Sequence, residues 1–283
     1  MKPGHASQTA VMVAMGRAIA HRSSTLPLTD PTALPLLPDD AQKQVERFEP
    51  TVPPKGVRAR FRWEHLRRQA RMMTARTIAL DDAIRQAAAP QLVILGAGLD
   101  GRAWRMAELA PATVFEVDHP DSQRDKRARV FGLSRAARDV RFVSVDFAKD
   151  DLEQSLAAAG HDPSLPTTWL WEGVVMYLDA AAIDATLSVV KRRSAVGSRI
   201  AVVYHSPGLL LWLVRPMVRR LGEPIRSVHT PEGMRRLLEK HGFEVTRDQG
   251  LPELGRAISV DVAEATRIMK HIRLVVADRR GAP

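Results

Sequence analysis

Cysteine is absent from this chain of 283 residues. Disulfide bonds, thiolate metal sites and cysteine nucleophiles are therefore excluded, and the absence is compatible with a reducing compartment. Long apolar runs are missing as well, because the longest in the C-terminal half, 209–214, is far too short to span a bilayer. The N-terminus also lacks the pattern of a signal peptide. We expect a cytoplasmic protein with no transmembrane segment and no metal site.

Aromatic residues are scarce, at 5% of the chain, whereas the net charge is +10. A basic net charge is typical of nucleic-acid binders, of membrane-surface binders and of enzymes for acidic substrates. Base stacking would have few partners, since only Phe61 and Trp63 lie within the densest basic segment. We therefore interpret that segment as a solvated helix face and expect no nucleic-acid partner. Its arginines are Arg58, Arg60, Arg62, Arg67, Arg68, Arg71 and Arg76.

The first 90 residues contain helical patterns without strands. Helices are predicted over 8–21, from Asp39 or Asp40 onward, and over Val57–Thr77, with proline-rich breaks between them. This segment has the features of a helical cap on the part that follows, without a core of its own. We therefore predict a single domain over 1–283, with the cap at 1–90 and a core at 91–283.

From Gln91 onward, strand and helix patterns alternate. Such alternation predicts an α/β fold with a mainly parallel sheet, helices on both faces and ligands at the carboxyl ends of the strands. The predicted strands are Leu92–Leu95, Thr113–Val117, Val140–Val145, Thr168–Trp171, Arg199–Tyr204, Glu244–Arg247 and Ile272–Ala277. The predicted helices are Arg102–Leu109, Ser122–Phe131, Asp151–Ala159, Ala180–Arg192 and Pro231–His241.

The first predicted strand leads directly into a glycine-rich turn, Gly96-Ala97-Gly98-Leu99-Asp100-Gly101. Glycines allow a sharp bend and a close approach by a ligand, while the N–H groups of the next helix face that ligand. The pattern is typical of nucleotide-like ligands but does not distinguish among them.

Three successive strands each end in a carboxylate. Asp118 lies 22 positions after Gly96, where an acid in this architecture accepts hydrogen bonds from ribose hydroxyls. Asp146 and Phe147 follow the third strand and suit an adenine ring, and Glu172 follows the fourth. A nicotinamide cofactor would use the glycine turn and Asp118 but would not need the later acids. S-adenosylmethionine, with an adenosine at one end and a charged amino acid at the other, fits the whole set better.

These segments resemble the leucine carboxyl methyltransferase type of class I methyltransferases, especially its bacterial branch, which includes a polyketide carboxyl methyltransferase. The resemblance implies a Rossmann-like sheet of seven mostly parallel strands, the last antiparallel, and S-adenosylmethionine as cofactor. The matching segments span nearly the whole chain: 7–10, 30–31, 75–77, 81–82, 95–105, 115–120, 146–147, 172–178 and 271–279.

The resemblance also implies roles for individual residues. Arg76 would hold the carboxylate of the cofactor, and the other cofactor-binding residues would be Gly96, Ala97, Gly98, Asp118, Asp146, Phe147 and Glu172. The chain departs from the family pattern at 78–80, where Ile-Ala-Leu replaces a basic and two aromatic residues, and at Gly101, which replaces a hydroxylated residue.

The predicted reaction is methyl transfer to an oxygen of a small acidic or lipophilic molecule. A carboxylate acceptor is ionised at pH 7 and needs no base, whereas a hydroxyl acceptor would benefit from one. The candidate catalytic residues are His205 and Tyr177. An apolar insertion near 207–229 is interpreted as a lid, a core segment or a homodimer contact. The alternatives are a nicotinamide-dependent oxidoreductase and a non-catalytic cofactor- or RNA-binding protein of the same fold.

Overall fold

The computed structural model describes residues 7–147, 149–208 and 225–281. Within these ranges seven strands form one sheet, in the order β3-β2-β1-β4-β5-β7-β6. The strands are β1 (Gln91–Leu95), β2 (Thr113–Asp118), β3 (Asp139–Ser144), β4 (Thr167–Trp171), β5 (Arg199–His205), β6 (Glu244–Gly250) and β7 (Ile272–Asp278).

The pairing of the strands confirms the predicted fold class. β1 pairs in parallel with β2 and β4, and parallel pairing extends to β3 and β5. β7 lies between β5 and β6 and is antiparallel to both. The order of the strands reverses between β1 and β4, which is the place where open α/β sheets bind their ligands.

Helices precede the sheet and connect its strands. Several begin at a side chain that accepts a hydrogen bond from the first turn, among them Ser7, Asp151, Asp179, Thr230 and Ser259. The helices are α1 (Gln8–Arg22), α2 (Asp39–Glu46), α3 (Val57–Ala87), α4 (Arg102–Arg105), α5 (Pro120–Val130), α6 (Leu152–Ala158), α7 (Ala180–Arg192), α8 (Pro231–Lys240), α9 (Leu251–Arg256) and α10 (Val260–Thr266).

The predicted bounds of two helices were wrong. Helix α3 does not end at Thr77 but continues to Ala87, because Leu80, Ala83 and Ile84 extend its buried stripe. It ends where Ala88 adopts a left-handed conformation with φ 45°. Helix α4 ends at Arg105 instead of Leu109: Met106 is extended and only 2% exposed, and a 3₁₀ turn follows it.

The sheet separates two apolar layers. Alternation along β1 illustrates this, since Leu92 and Ile94 join a cluster with the cap helices while Val93 and Leu95 join a cluster with α6, α7 and α8. The cap helices α1 to α3 therefore complete one face of the sheet. This packing places α1 and the second half of α3 beside the carboxyl ends of the central strands.

No helix in the described ranges is long and apolar enough to cross a membrane. Most of the insertion predicted near 207–229 lies outside the described residues, which resume at Ile225.

Candidate active site

A cavity of about 450 Å³ lies at the carboxyl ends of β1, β2 and β4, next to the reversal in strand order. Its volume is in the range of small-molecule sites. Most of the lining residues come from α1, α3, the glycine turn and the segments that follow β2 and β4, while Ile94 belongs to β1 and Arg226 lies between β5 and α8. They are Ser7, Thr9, Ala10, Val13, Arg17, Arg76, Ile94, Gly96, Ala97, Gly98, Leu99, Asp100, Asp118, Ser122, Glu172, Gly173, Val174, Tyr177 and Arg226.

Close packing requires two of the glycines in the turn. Gly96 has φ +71°, and a Cβ there would lie 2.2 Å from Cγ2 of Val174. Gly98 has φ +46°, and its Cβ would lie 3.1 Å from that of Ala10. Both angles are left-handed values that glycine adopts without strain. The turn is therefore covered on one side by α1 and on another by the segment after β4.

Gly101 has a structural role. A Cβ at this position would lie 1.8 Å from the Thr32 hydroxyl, which donates a 2.6 Å hydrogen bond to Asp30. The departure from the family pattern at Gly101 thus accommodates the cap segment that begins with Asp30 and Pro31.

Asp118 lies at the end of β2 and lines the cavity, as predicted for the ribose-binding acid. Its carboxylate accepts hydrogen bonds from the N–H groups of Gly98, at 2.5 Å, and His119, at 2.7 Å. Burial raises the pKa of Asp118, and these two N–H groups partly offset that effect. The side chain therefore links β2 to the glycine turn and faces the cavity.

Glu172 lies at the centre of a buried cluster of arginines. Its carboxylate pairs with Arg17 at 2.9 Å, Arg76 at 2.8 Å and Arg102 at 3.0 Å. Burial alone would raise the pKa of Glu172, but the three guanidinium groups hold it far below the usual range for Glu. Glu172 is thus a permanent anion that brings Arg17 and Arg76 together on the cavity wall.

The arginine cluster extends into the cap. Arg102 also pairs with Asp81 and Asp100, and Asp81 in turn pairs with Arg105 at 2.7 Å. Arg105 contacts Asp30 at 3.3 Å. This network connects α3 and the cap segment near Asp30 to the turn after β1.

Two arginines of the cluster, Arg17 and Arg102, were not predicted from the sequence. Arg17 lies on α1 among the buried residues Ala14 and Ala18, and a cation on an apolar helical stripe was the available signal. Arg102 follows the glycine turn directly and is 0% exposed. Their partners are far away in sequence, so no local spacing indicates the pairing.

Asp146 and Phe147 follow β3 but are not among the residues that line the cavity in the described part of the chain. The carboxylate of Asp146 lies 3.2 Å from Lys149, and its N–H donates to Asp150. Phe147 is half-buried against the second apolar layer. Their role at the adenine end stays a prediction.

The two candidate catalytic residues have different surroundings. Tyr177 lines the cavity, and its hydroxyl lies 3.3 Å from that of Thr9. His205 lies at the end of β5, outside the described lining, with its ring 5.6 Å from that of His271. Burial, with further contributions from His271 and Arg76, lowers the pKa of His205 to about 3. His205 is therefore neutral and weakly basic at pH 7.

The sheet order and the cavity at its switch point define a class I methyltransferase fold. A structure of a duf574 family protein from Streptomyces avermitilis shares it, with a TM-score of 0.60, 15% identity and 98% of each chain covered. A geranyl diphosphate methyltransferase in complex with GPP and sinefungin also shares it, with a TM-score of 0.51, 17% identity, and 74% of this chain and 82% of that one covered.

The sequence identifies the family within this class. The family model described as "Leucine carboxyl methyltransferase" matches residues 10–191, and the chain belongs to this family. The predicted family is thereby confirmed.

Two mycobacterial relatives carry the name "Putative S-adenosyl-L-methionine-dependent methyltransferase". The protein from Mycolicibacterium paratuberculosis is 36% identical over 206 residues, which cover 70% of this chain and 66% of that protein. A relative from Mycolicibacterium smegmatis is 38% identical over 204 residues, with 69% and 65% covered. The matched part is thus just under two thirds of the length of these curated relatives. The names of these relatives agree with the enzyme class and the cofactor that the sequence predicts.

Proposed function

We propose that the protein binds S-adenosylmethionine in the cavity and transfers its methyl group to an oxygen of a small acidic or lipophilic molecule. One observation carries the proposal: Asp118 and the pair Arg76–Glu172 line the same cavity of about 450 Å³ at the strand ends. Asp118 can accept hydrogen bonds from the hydroxyls of a ribose, and the pair Arg76–Glu172 carries the charges that an amino acid group requires.

The arginine cluster fits the carboxylate of the cofactor. Arg17 and Arg76 share Glu172, whereas Arg102 has Asp81 and Asp100 as further partners. Arg17 and Arg76 therefore share a single carboxylate, while the wider network with Arg102, Arg105, Asp30, Asp81 and Asp100 is balanced at four guanidinium groups and four carboxylates. In the described part of the chain, Nη2 of Arg76 is buried without a hydrogen-bond partner. A carboxylate in the cavity would accept a hydrogen bond from this donor.

The other contacts that we propose with the cofactor involve residues at the ends of the neighbouring strands β1, β2 and β3. Asp118 would accept hydrogen bonds from the ribose hydroxyls, and the backbone of Gly96, Ala97 and Gly98 would lie close to the methionine chain. Asp146 and Phe147 follow β3, which neighbours β2, and would bound the adenine.

When bound, S-adenosylmethionine supplies a methyl group already activated on a sulfonium. The protein then has to align the acceptor oxygen and exclude water. Ala10 over Gly98 and Val174 over Gly96 narrow the cavity with apolar groups. These contacts support a cofactor site from which water is excluded on the side of α1 and on the side of the segment after β4.

The low basicity of His205 favours an acceptor that is already ionised. His205 lies outside the described lining of the cavity and, with a pKa of about 3, would accept a proton poorly from a hydroxyl at pH 7. A carboxylate acceptor requires no such transfer. We therefore place carboxylates ahead of hydroxyl groups among the acceptors. Family membership favours methyl transfer over nicotinamide-dependent oxidation and over non-catalytic RNA binding.

The test is a transfer assay with S-adenosylmethionine that carries a labelled methyl group. The acceptors are benzoate, octanoate, dodecanoate and salicylate, each with the corresponding primary alcohol. We expect label in products from the acids, released as methanol by mild alkali because the products are methyl esters. Alkali-stable product from the alcohols alone would contradict the preference for carboxylates. Binding and oxidation or reduction of a nicotinamide cofactor without methyl transfer would contradict the proposed reaction.

A further inference from the structure

The charged residues that line the cavity differ in how they are paired. Arg17 and Arg76 pair with Glu172, and Asp100 pairs with Arg102. Asp118 accepts two backbone hydrogen bonds. Arg226 is the exception: no ion pair or side-chain hydrogen bond joins its guanidinium to any described residue. The cavity therefore presents one exposed cation that its own wall does not neutralise.

The backbone of Arg226 is fixed next to the segment that follows β4. Its N–H donates a 2.7 Å hydrogen bond to the carbonyl of Met176, and the Ser227 hydroxyl donates a 2.8 Å hydrogen bond to Val175. Ile225, directly before it, is only 6% exposed. These contacts hold Arg226 beside the 3₁₀ turn Val175–Tyr177.

The position of Arg226 separates it from the arginines assigned to the cofactor. Arg17 and Arg76 belong to the cap helices α1 and α3 and meet at Glu172. Arg226 borders the cavity with Val174 and Tyr177 instead. An anion bound to Arg226 would thus lie on the side of the cavity where Tyr177 stands.

We propose that Arg226 binds the carboxylate of an acid acceptor, an inference that rests on the methyl-transfer function proposed above. Arginine binds carboxylates with directed, charge-assisted hydrogen bonds. One carboxylate oxygen accepts from the guanidinium, and the other forms the new bond to the methyl carbon. The bond between sulfur and that carbon breaks, its electron pair stays on the sulfur, and no proton moves. The ester product is neutral and therefore forms no ion pair with Arg226. Its affinity for the site is thus lower than that of the acid, which favours its release.

Calorimetric titrations of the protein saturated with S-adenosylhomocysteine test this assignment. The ligands are benzoate, octanoate, dodecanoate and salicylate, each compared with its methyl ester. For the wild type we expect at least one acid to bind about 10-fold or more tightly than its ester, which corresponds to the loss of one charged contact. In Arg226→Gln the affinity for that acid should fall about 10-fold, with the affinity for the ester unchanged. Arg226→Lys should retain part of the preference.

The control variant is Arg267→Gln, because Arg267 is also exposed but does not line the cavity. It should bind acids and esters as the wild type does. If Arg226→Gln binds S-adenosylhomocysteine normally and keeps the full preference for acids, the assignment of Arg226 is wrong while the proposed function stands. The assignment of Arg226 is also wrong if the wild type, saturated with S-adenosylhomocysteine, binds none of the four acids. If the wild type does not bind S-adenosylhomocysteine, the proposed function itself fails.

Discussion

Glu172 shows how a single buried acid can organise a binding site. An isolated carboxylate would be neutral at its 8% side-chain exposure, but three guanidinium groups keep it ionised. The carboxylate of Glu172 also compensates part of the positive charge of Arg17 and Arg76. Burial lowers the pKa of Arg76, and Glu172 counteracts that effect. The cavity thereby keeps two positioned cations without an unpaired buried charge.

The assignment of Asp118 gives a prediction at this scale. Asp118→Asn replaces a charged acceptor with a neutral one, so the affinity for S-adenosylhomocysteine should fall about 10- to 100-fold. The variant Asp121→Asn is the matched control, because Asp121 lies three residues further on and pairs with Arg124 at the surface. Calorimetry measures both. Equal affinity of Asp118→Asn and the wild type would remove Asp118 from the ribose site.

Site residues that directly follow a strand could be predicted from the sequence. Residues that reach the site from elements distant in sequence could not. Gly96, Asp118 and Glu172 were predicted from the turn and the acids after successive strands. Arg17 was not, because its contact with Glu172 joins residues 155 positions apart. Arg226 was missed as well, since its relation to the cavity depends on hydrogen bonds to Met176.

At the scale of elements, helix α3 has two distinct halves. Its first half projects into solvent with Val57 87% and Phe61 76% exposed. Its second half packs on the sheet and carries Arg76 and Asp81, which are both buried. The cap therefore contributes to the site through ion pairs as well as through apolar contacts.

The role of Asp81 gives a prediction for this element. Asp81→Ala would remove the partner that Arg102 and Arg105 share at 2.7 Å. Arg102 keeps Asp100 and Glu172, and Arg105 keeps Asp30, but the network loses one buried anion. The free energy of unfolding should therefore fall, by at most about 3–5 kcal/mol. Urea unfolding measures the change.

The neighbouring Asp82 supplies the control, since its side chain is 46% exposed and pairs with Arg85 at the surface. Asp82→Ala should change the free energy of unfolding by less than about 1 kcal/mol. Similar values for the two variants would show that the buried network does not anchor the cap.

Strands were easier to predict from the sequence than helix bounds. All seven predicted strands correspond to observed ones, and most of them are short apolar runs between turn residues, although β6 is largely polar. The last ten residues of α3 were missed, since the acids Asp81 and Asp82 interrupt its apolar pattern and their partners are distant in sequence. The short helices α9 and α10 were missed because six and seven residues give too little periodicity.

At the scale of the molecule, several histidines are packed in their neutral form. His161 is a defined case: its Nδ1 accepts from Arg193 at 3.2 Å, and its Nε2 lies 3.1 Å from the Thr167 hydroxyl. Burial, with a smaller contribution from Arg193, lowers the pKa of His161 to about 4. Burial also lowers the pKa values of His205, His229 and His271.

This arrangement predicts sensitivity to acid. Between pH 6.5 and 4 the unfolded chain binds a proton at His161 that the folded protein does not, so the free energy of unfolding falls as the pH falls. In His161→Gln, the loss of stability across that range should be smaller than in the wild type by roughly 3 kcal/mol at most. Denaturant titrations at a series of pH values measure it.

The exposed His65 provides the comparison for that series, and His65→Gln should follow the wild-type curve. Parallel pH profiles for His161→Gln and the wild type would show that His161 is not held neutral in the fold.

We propose the cavity bounded by Arg76, Asp118 and Glu172 as the site for S-adenosylmethionine. The most direct measurement is a calorimetric titration of the purified protein with S-adenosylhomocysteine and, separately, with a nicotinamide dinucleotide. We expect saturable binding of S-adenosylhomocysteine with one site per chain and no binding of the dinucleotide. Binding of the dinucleotide alone, or of neither ligand, would contradict this proposal.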